Sequence, residues 1–168
     1  MIAAADVYYF KEWAVAAAIL FDDWRSERPS VEVRQYVTNI EPYTPGFFYK
    51  RELPCLQKVL EQVKNRFEII IIDGYVWLNS GKRPRLGAHL YQLLGEKIPV
   101  IGVAKTKVKE ATRAIPILRG RSGRALYVTT VGINAAVAAK YVESMHGRYR
   151  IPTLLKKVDA LCRDPKYV

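Results

Sequence analysis

The chain has 168 residues, half of them apolar and 26% charged, with 10 glycines and 9 prolines scattered along it. We expect one domain spanning residues 1–168, and the composition excludes disordered, collagen-like and low-complexity chains. Lys and Arg number 27 against 16 Asp and Glu, a net charge of +11, which points to a polyanionic partner, with a merely basic surface as the alternative.

Cys55 and Cys162 each lie in an apolar helical pattern without CxxC or Cys/His spacing, so they read as core residues of a reducing compartment. Two histidines, His89 and His146, are too few and too far apart for a structural zinc site. No apolar run is long enough to span a membrane, and Met1–Ala5 lacks the basic start of a signal peptide. The expectation is a soluble cytoplasmic protein with no membrane association and no obligate protein partner.

In chain order, Ile2–Tyr9 and Trp13–Phe21 read as interior strands. Val31–Thr38 alternates, with Val31, Val33 and Val37 on one face, as a half-exposed strand of an antiparallel meander does. A Pro/Gly-marked loop, Glu41–Gly46, precedes Leu53, Leu56, Val59, Leu60 and Val63 at helical spacing, with Pro54 placed in the first turn. Phe67–Ile72 fits a buried parallel strand ending at Asp73-Gly74, and a loop containing Gly81-Lys82-Arg83-Pro84-Arg85 leads to a helix over Leu86–Leu94. Next come a strand at Val100–Val103 and a hairpin of Ala114–Leu118 with Ala125–Thr130. Helices over Asn134–Met145 and from Pro152 onward close the chain. Three antiparallel strands, a helix, then parallel strands alternating with helices is the element order of a ribonuclease H-like mixed sheet, an α/β fold flanked by helices. Fold order alone does not establish function.

Asp6 lies inside an otherwise apolar strand, where an ionised carboxylate is costly unless a cation or hydrogen bonds compensate it. Asp73 ends the isoleucine run, at the sheet end where ligand sites collect, and would lie beside Asp6 if the first and fourth strands are neighbours. Glu52 opens the next helix, and Asp159 borders the apolar stripe of the last one. Four acids converging on one sheet end raise one another's pKa, and oxygen ligands select hard cations, Mg²⁺ with Mn²⁺ as a substitute. Taken singly, Glu52 also reads as a helix N-terminal charge, Asp159 as a solvated residue and Asp73 as a cap. Asp6 has the weakest such alternative.

Lys105 ends its strand at the same sheet end as Asp73, placed to meet a scissile phosphate. From Lys105 to Arg124 there are seven basic residues, including Lys107, Arg119 and Arg121, against one acid, Glu110. This stretch, with Lys82 and Arg83, reads as a phosphate-tracking surface, and a merely charged hairpin is the other reading. Tyr43, between Pro42 and Pro45, suits a wedge into a base stack, although such a segment is also an ordinary turn.

Several motifs in order resemble the endonuclease V family, the deoxyinosine 3′ endonucleases that cut strands near deaminated purines. They are Asp6-Val7-Tyr8-Tyr9, Pro42-Tyr43-Thr44-Pro45-Gly46 running to Arg51-Glu52, Ile72-Asp73-Gly74, Leu86-Gly87-Ala88-His89-Leu90, Ile101-Gly102-Val103-Ala104-Lys105 and Tyr149-Arg150-Ile151-Pro152. The resemblance implies a metal-dependent endonuclease acting on deoxyinosine in DNA or inosine in RNA, in nucleic-acid repair. Asp6 and Asp73 would bind Mg²⁺ directly, Glu52 would act through the metal shell, and Asp159 stands where the family has a further acid or histidine. Lys105 matches the lysine near the cleaved phosphate, Tyr43 the wedge, and Gly46 and Gly74 the glycines around a base pocket. The chain departs from the family pattern at Val76, in place of a second pocket glycine, and at Asn79-Ser80, in place of His-Pro. The family's helical segment ahead of the first strand has no counterpart before Ile2. These departures leave altered base or structure specificity, or a non-catalytic nucleic-acid-binding homologue, as alternatives.

Overall fold

Runs of period two give way to runs of period 3.6 along this sequence, and the two patterns build a sheet with helices on both faces. A computed structural model describes residues 1–167. The elements are β1 (Ile2–Tyr9), β2 (Ala14–Phe21), β3 (Val31–Val37), α1 (Phe48–Glu61), β4 (Ile69–Asp73), β5 (Trp77–Leu78) and β6 (Arg83–Pro84). They continue as α2 (Leu86–Leu93), β7 (Val100–Ala104), β8 (Ile115–Ile117), β9 (Leu126–Val131), α3 (Ala135–Ser144) and α4 (Thr153–Arg163). The main sheet has the order β3-β2-β1-β4-β7-β9-β8.

β1 pairs antiparallel with β2 on one side and parallel with β4 on the other, where Ala5 sits opposite Ile72. The next residues of these neighbouring strands are Asp6 and Asp73, so register alone brings the two acids together. β4 and β7 are parallel, while β9 runs antiparallel to both β7 and β8. The mixed sheet with four flanking helices agrees with the architecture read from the element order.

Strand alternation divides the core. Ala3, Ala5, Ala16 and Ala18 join Leu56, Val59 and Leu60 of α1 and Ala88 and Leu90 of α2 on one face. Ala4, Ala17 and Ile71 join Val142 of α3 and Leu154, Val158 and Cys162 of α4 on the other. Alanines along β1 and β2 let helices approach both faces closely. Asn134 starts α3 by accepting hydrogen bonds from the amides of Ala136 and Val137 at 3.0 and 3.1 Å. Among the described residues no helix is long and apolar enough to cross a membrane.

Two local differences matter for the site. α1 begins at Phe48, so Pro54 lies well inside it rather than in its first turn, and Glu52 is a buried helix-interior residue rather than an opening charge. Pro54 and Lys50, the residue whose carbonyl Pro54 cannot engage, are both exposed, which keeps the lost hydrogen bond on the solvent side. The segment after β4 folds into the β5–β6 hairpin, whose left-handed loop residues include Asn79 and Ser80. Two strands of two residues each are too short to leave a periodic signal.

Gly102 of β7 sets how the chain leaves β4. A Cβ there would lie 2.5 Å from the Gly74 carbonyl oxygen, 3.0 Å from Thr129 Oγ1 and 3.1 Å from the Val76 nitrogen. The Gly74–Val76 turn therefore rests directly on β7, held by the Val76 amide donating to Thr129 Oγ1 at 2.8 Å. Gly102→Ala should cost roughly 1–3 kcal/mol through overpacking, read by denaturant unfolding. An unchanged midpoint and slope would show that the turn is not in tight contact.

Candidate active site and nucleic-acid interface

The carboxyl ends of β1 and β4 carry the acids. Alternation sends Asp6 and Asp73 to the face covered by α3 and α4, where Asp159 of α4 meets them. One carboxylate oxygen each from Asp6 and Asp159 and the Sγ of Cys162 lie within 4.8 Å of one another. Glu52 arrives from α1 on the opposite face and is only 7% exposed. The four acids proposed from the sequence thus gather around one sheet end, with Asp73 lining the clefts on both sides of it.

Their electrostatics follow from that crowding. Burial, then the charges of Asp73 and Asp159, pushes the Asp6 carboxyl up to about 7, against the amide of Val7, which donates to its Oδ1 at 2.9 Å. Burial, then Asp6 and Asp73, pushes Glu52 up to about 8. Burial also raises the Cys162 thiol, with Asp6 and Asp159 adding to the effect. Lys105 Nζ donates to Asp73 Oδ2 at 3.1 Å. Burial alone would lower its pKa, but the attraction of Asp73, Asp6 and Asp159 raises it on balance, so it stays charged. Lys105 on Asp73 and Arg163, whose Nε donates to Asp159 Oδ1 at 2.8 Å, balance two of the four carboxyls, so ionising Asp6 and Glu52 as well calls for a further cation. The oxygen donors suit a hard divalent ion, while Cys162 stays protonated and its Sγ donates to the Asp159 carbonyl at 3.1 Å.

Two clefts open from the acids. One, of about 330 Å³, is lined by Asp6, Asp73, Lys105, Asp159, Tyr149 and Arg150 together with apolar residues of the sheet and α4. The other, of about 220 Å³, lies between Phe48, Tyr49 and Glu52 of α1 and Asp73, Gly74, Tyr75, Arg85 and Leu86. Gly74 has φ +100° and open space around it, so backbone faces this second cleft without a side chain. Tyr75 is pinned, donating to the Thr106 carbonyl at 2.6 Å and accepting from the Val108 amide at 3.2 Å. Tyr49 stacks on His89 with ring centroids 3.7 Å apart. Val76, which replaces the expected second glycine, is buried against Gly87 and does not line this cleft.

The remaining candidates divide. Tyr43 is 60% exposed and meets Phe48 edge-on at 6.2 Å, on the loop where Pro45 and Gly46 are also exposed. Lys82, Arg83, Lys107 and Arg121 are exposed. The β5–β6 loop that carries Lys82 is tied to the basic stretch by the Asn79 amide, 2.8 Å from the Glu110 carbonyl, and by Ser80 Oγ, 2.9 Å from Thr112 Oγ1. Arg119 is the exception and the sequence reading of it is corrected: it is 5% exposed. Its guanidinium donates to the carbonyls of Glu143, Met145, Gly147, Tyr149 and Arg150, a cage that leaves nothing for a phosphate.

Sequence reasoning assigned no role to the aromatic lining of the smaller cleft or to Arg150. Arg150 donates to the carbonyls of Lys105, Arg124 and Ala125, tying the carboxyl end of β7 to the start of β9. The signal for both was their place inside motifs, Tyr49 before Arg51-Glu52 and Arg150 before Ile151-Pro152.

A mixed sheet in this order, with acids at the carboxyl end of its central strands, is a ribonuclease H-like fold. The family model described as Endonuclease V matches residues 1–132. An endonuclease V of Nostoc punctiforme is 32% identical over 131 residues, covering 75% of this chain, which spans only 57% of that relative's length. An endonuclease V of Trichormus variabilis is 31% identical over 163 residues, covering 92% of this chain and 68% of the relative. Among solved structures, Ciona intestinalis endonuclease V in complex with a 24mer DNA containing an inosine followed by a ribo-adenosine superposes with TM-score 0.80 at 19% identity. That match covers 96% of this chain and 83% of the other. Endonuclease V of Streptomyces avermitilis gives TM-score 0.72 at 26% identity, covering 96% and 79%. The chain belongs to the endonuclease V family.

The raised carboxyls give a pH signature. Folded Asp6 and Glu52 hold protons up to about 7 and about 8, against 3.8 and 4.5 for ordinary carboxyls, so their favourable contribution is complete below the ordinary values. It is lost as pH rises through the folded values. In chelator, the melting temperature should fall between about pH 5 and pH 8.5, and Mg²⁺ or Mn²⁺ should raise it more at the upper pH. Asp6→Asn should flatten both trends; a variant that retains them would remove Asp6 as their source.

Proposed function

We propose that this chain is a divalent-metal-dependent endonuclease that hydrolyses a phosphodiester near a deaminated purine, hypoxanthine in DNA or its inosine counterpart in RNA, in nucleic-acid repair. The observation that carries the reading is the convergence of Asp6, Glu52, Asp73 and Asp159 on one sheet end with Lys105 ion-paired among them, in a chain of this family. A protein that only bound polyanions would gain nothing from four acids beside the phosphate.

In this reading Asp6 and Asp73 hold the ion, Mg²⁺ or Mn²⁺ as substitute, with Glu52 acting through its hydration shell and Asp159 as a further acidic partner. An ion held by these residues would supply positive charge between the carboxylates and the Lewis acidity that phosphodiester hydrolysis by water needs. Lys105 is held beside Asp73 and meets the developing negative charge of the phosphate. The cleft between α1 and Gly74 takes the flipped base, with the Gly74 backbone open to a purine edge and the aromatic rings of Phe48 and Tyr49 as walls. Tyr43, with Pro45 and Gly46 shaping its loop, fills the gap the base leaves. Lys82, Arg83, Lys107 and Arg121 track the backbone. Val76, turned into the core, favours a retained purine pocket over altered specificity. The two free, buried cysteines support a reducing compartment such as the cytoplasm.

The test is a labelled single strand with one deoxyinosine, and its RNA counterpart, incubated with Mg²⁺, Mn²⁺ or chelator. We expect metal-dependent cutting near the deaminated base that Asp73→Ala abolishes and Lys105→Ala slows roughly 100- to 1,000-fold. Equal cutting of an undamaged strand would point to altered specificity, and retention without cutting in every metal would leave only a binding protein.

A further inference from the structure

The larger cleft at the acids does not end there. It shares Tyr149 and Arg150 with an open groove of about 860 Å³ whose other walls are Gly120, Arg121, Ser122 and Arg148. A continuous surface therefore runs from Asp73 and Lys105, over Tyr149, to the tip of the β8–β9 hairpin. It leads away from Asp73 on the side opposite the cleft of Phe48, Tyr49 and Gly74.

Tyr149 is 62% exposed, yet its backbone is tied down by the buried Arg119. Arg119 Nη1 donates to its carbonyl at 2.8 Å, and the same buried guanidinium engages Gly147 and Arg150 on either side. Gly120, with φ +61°, lets the hairpin tip press onto this segment, because a Cβ there would collide with the Arg148 carbonyl. Arg150 completes the brace through the carbonyls of Lys105 and Ala125. An exposed ring on a braced backbone gives up little conformational freedom when a partner covers it. Among the described residues no aromatic ring stacks on Tyr149. The Arg148 guanidinium lies 5.1 Å from its centroid and donates to its hydroxyl at 2.9 Å, fixing the ring's orientation. Three arginines and no acid line this groove, so its charge complements a phosphate backbone.

We propose that Tyr149, braced from beneath by Arg119 and Gly120 and flanked by Arg148 and Arg121, is a stacking platform for a base of single-stranded nucleic acid. The base is the one lying across the scissile phosphate from the deaminated purine. Its placement relative to that phosphate rests on the nuclease reading of the acids; the stacking surface itself does not. An exposed aromatic ring among guanidinium groups takes any base by its face, so the platform anchors the strand without reading sequence.

Fluorescence anisotropy in chelator, where no cutting occurs, tests this with a single strand carrying one hypoxanthine, either intact or with abasic sites on one or the other side of it. Tyr149→Ala should weaken binding of the intact strand roughly 5- to 100-fold, the range set by one lost stacked base, while Tyr149→Phe stays near wild type. Abasic sites on one side only should weaken wild-type binding by a similar factor and leave Tyr149→Ala indifferent. The melting temperature of Tyr149→Ala should match wild type, since the ring is exposed. Unchanged affinity in Tyr149→Ala, or an abasic penalty that persists in it, overturns the platform. Cutting of the same strand by the wild-type protein with Mg²⁺ is read separately. Cutting without Tyr149-dependent binding removes the platform alone, and Tyr149-dependent binding without cutting keeps the stacking surface and removes the nuclease reading.

Discussion

Repulsion among four acids at the end of two adjacent strands is the constraint around which this molecule is organised. Parallel pairing of β1 with β4 puts Asp6 beside Asp73, and helices on opposite faces then add Glu52 and Asp159 to the same place. Water could relieve such crowding, but Glu52 is buried and Asp6 largely so, and both respond by holding protons into the neutral range. Lys105 on Asp73 and Arg163 on Asp159 relieve only part of it. When Asp6 and Glu52 also ionise, the spot becomes short of positive charge, which a bound cation would supply.

Close packing makes that arrangement specific. Alanines on both faces of β1 and β2 let α1 and α4 come near the sheet, so the acids they carry reach its edge. Gly102 and Thr129 seat the turn after β4, which fixes the direction of Asp73 and leaves Gly74 bare toward the smaller cleft. Arg119 and Arg150 do comparable work on the other side, spending their hydrogen bonds on carbonyls and so rigidifying the segment between α3 and α4. The basic excess is therefore of two kinds. Part is exposed to solvent, and part is structural cement.

Asp6 was legible in the sequence because a lone acid in an apolar strand has few harmless explanations, and Asp73 because it ends an isoleucine run. The order of elements along the chain followed from the periodicities, and the pairing of β1 with β4 supplied the adjacency that the two acids need. Arg119 was misread because a run rich in Lys and Arg looks uniformly exposed. Its burial depends on carbonyls more than twenty residues further along, which no local pattern reports. The β5–β6 hairpin was too short to show a period. Glu52 was placed at a helix start because the apolar stripe begins at Leu53, whereas Phe48, packed against Tyr9 of β1, and Tyr49, stacked on His89 of α2, extend the helix backwards. The inward turn of Val76 was equally invisible, since only the contact with Gly87 decides which way it faces.

The central claim is that the clustered acids form a site for a hard divalent cation. The direct measurement is electron paramagnetic resonance of free Mn²⁺ titrated with the protein at neutral pH, in wild type, Asp6→Asn and Asp73→Asn. The account predicts that wild type depletes the free-ion signal, less so as pH falls and the carboxyls protonate, and that each variant depletes it far more weakly. Mn²⁺ binding of equal strength in all three proteins, or none in wild type, would contradict it.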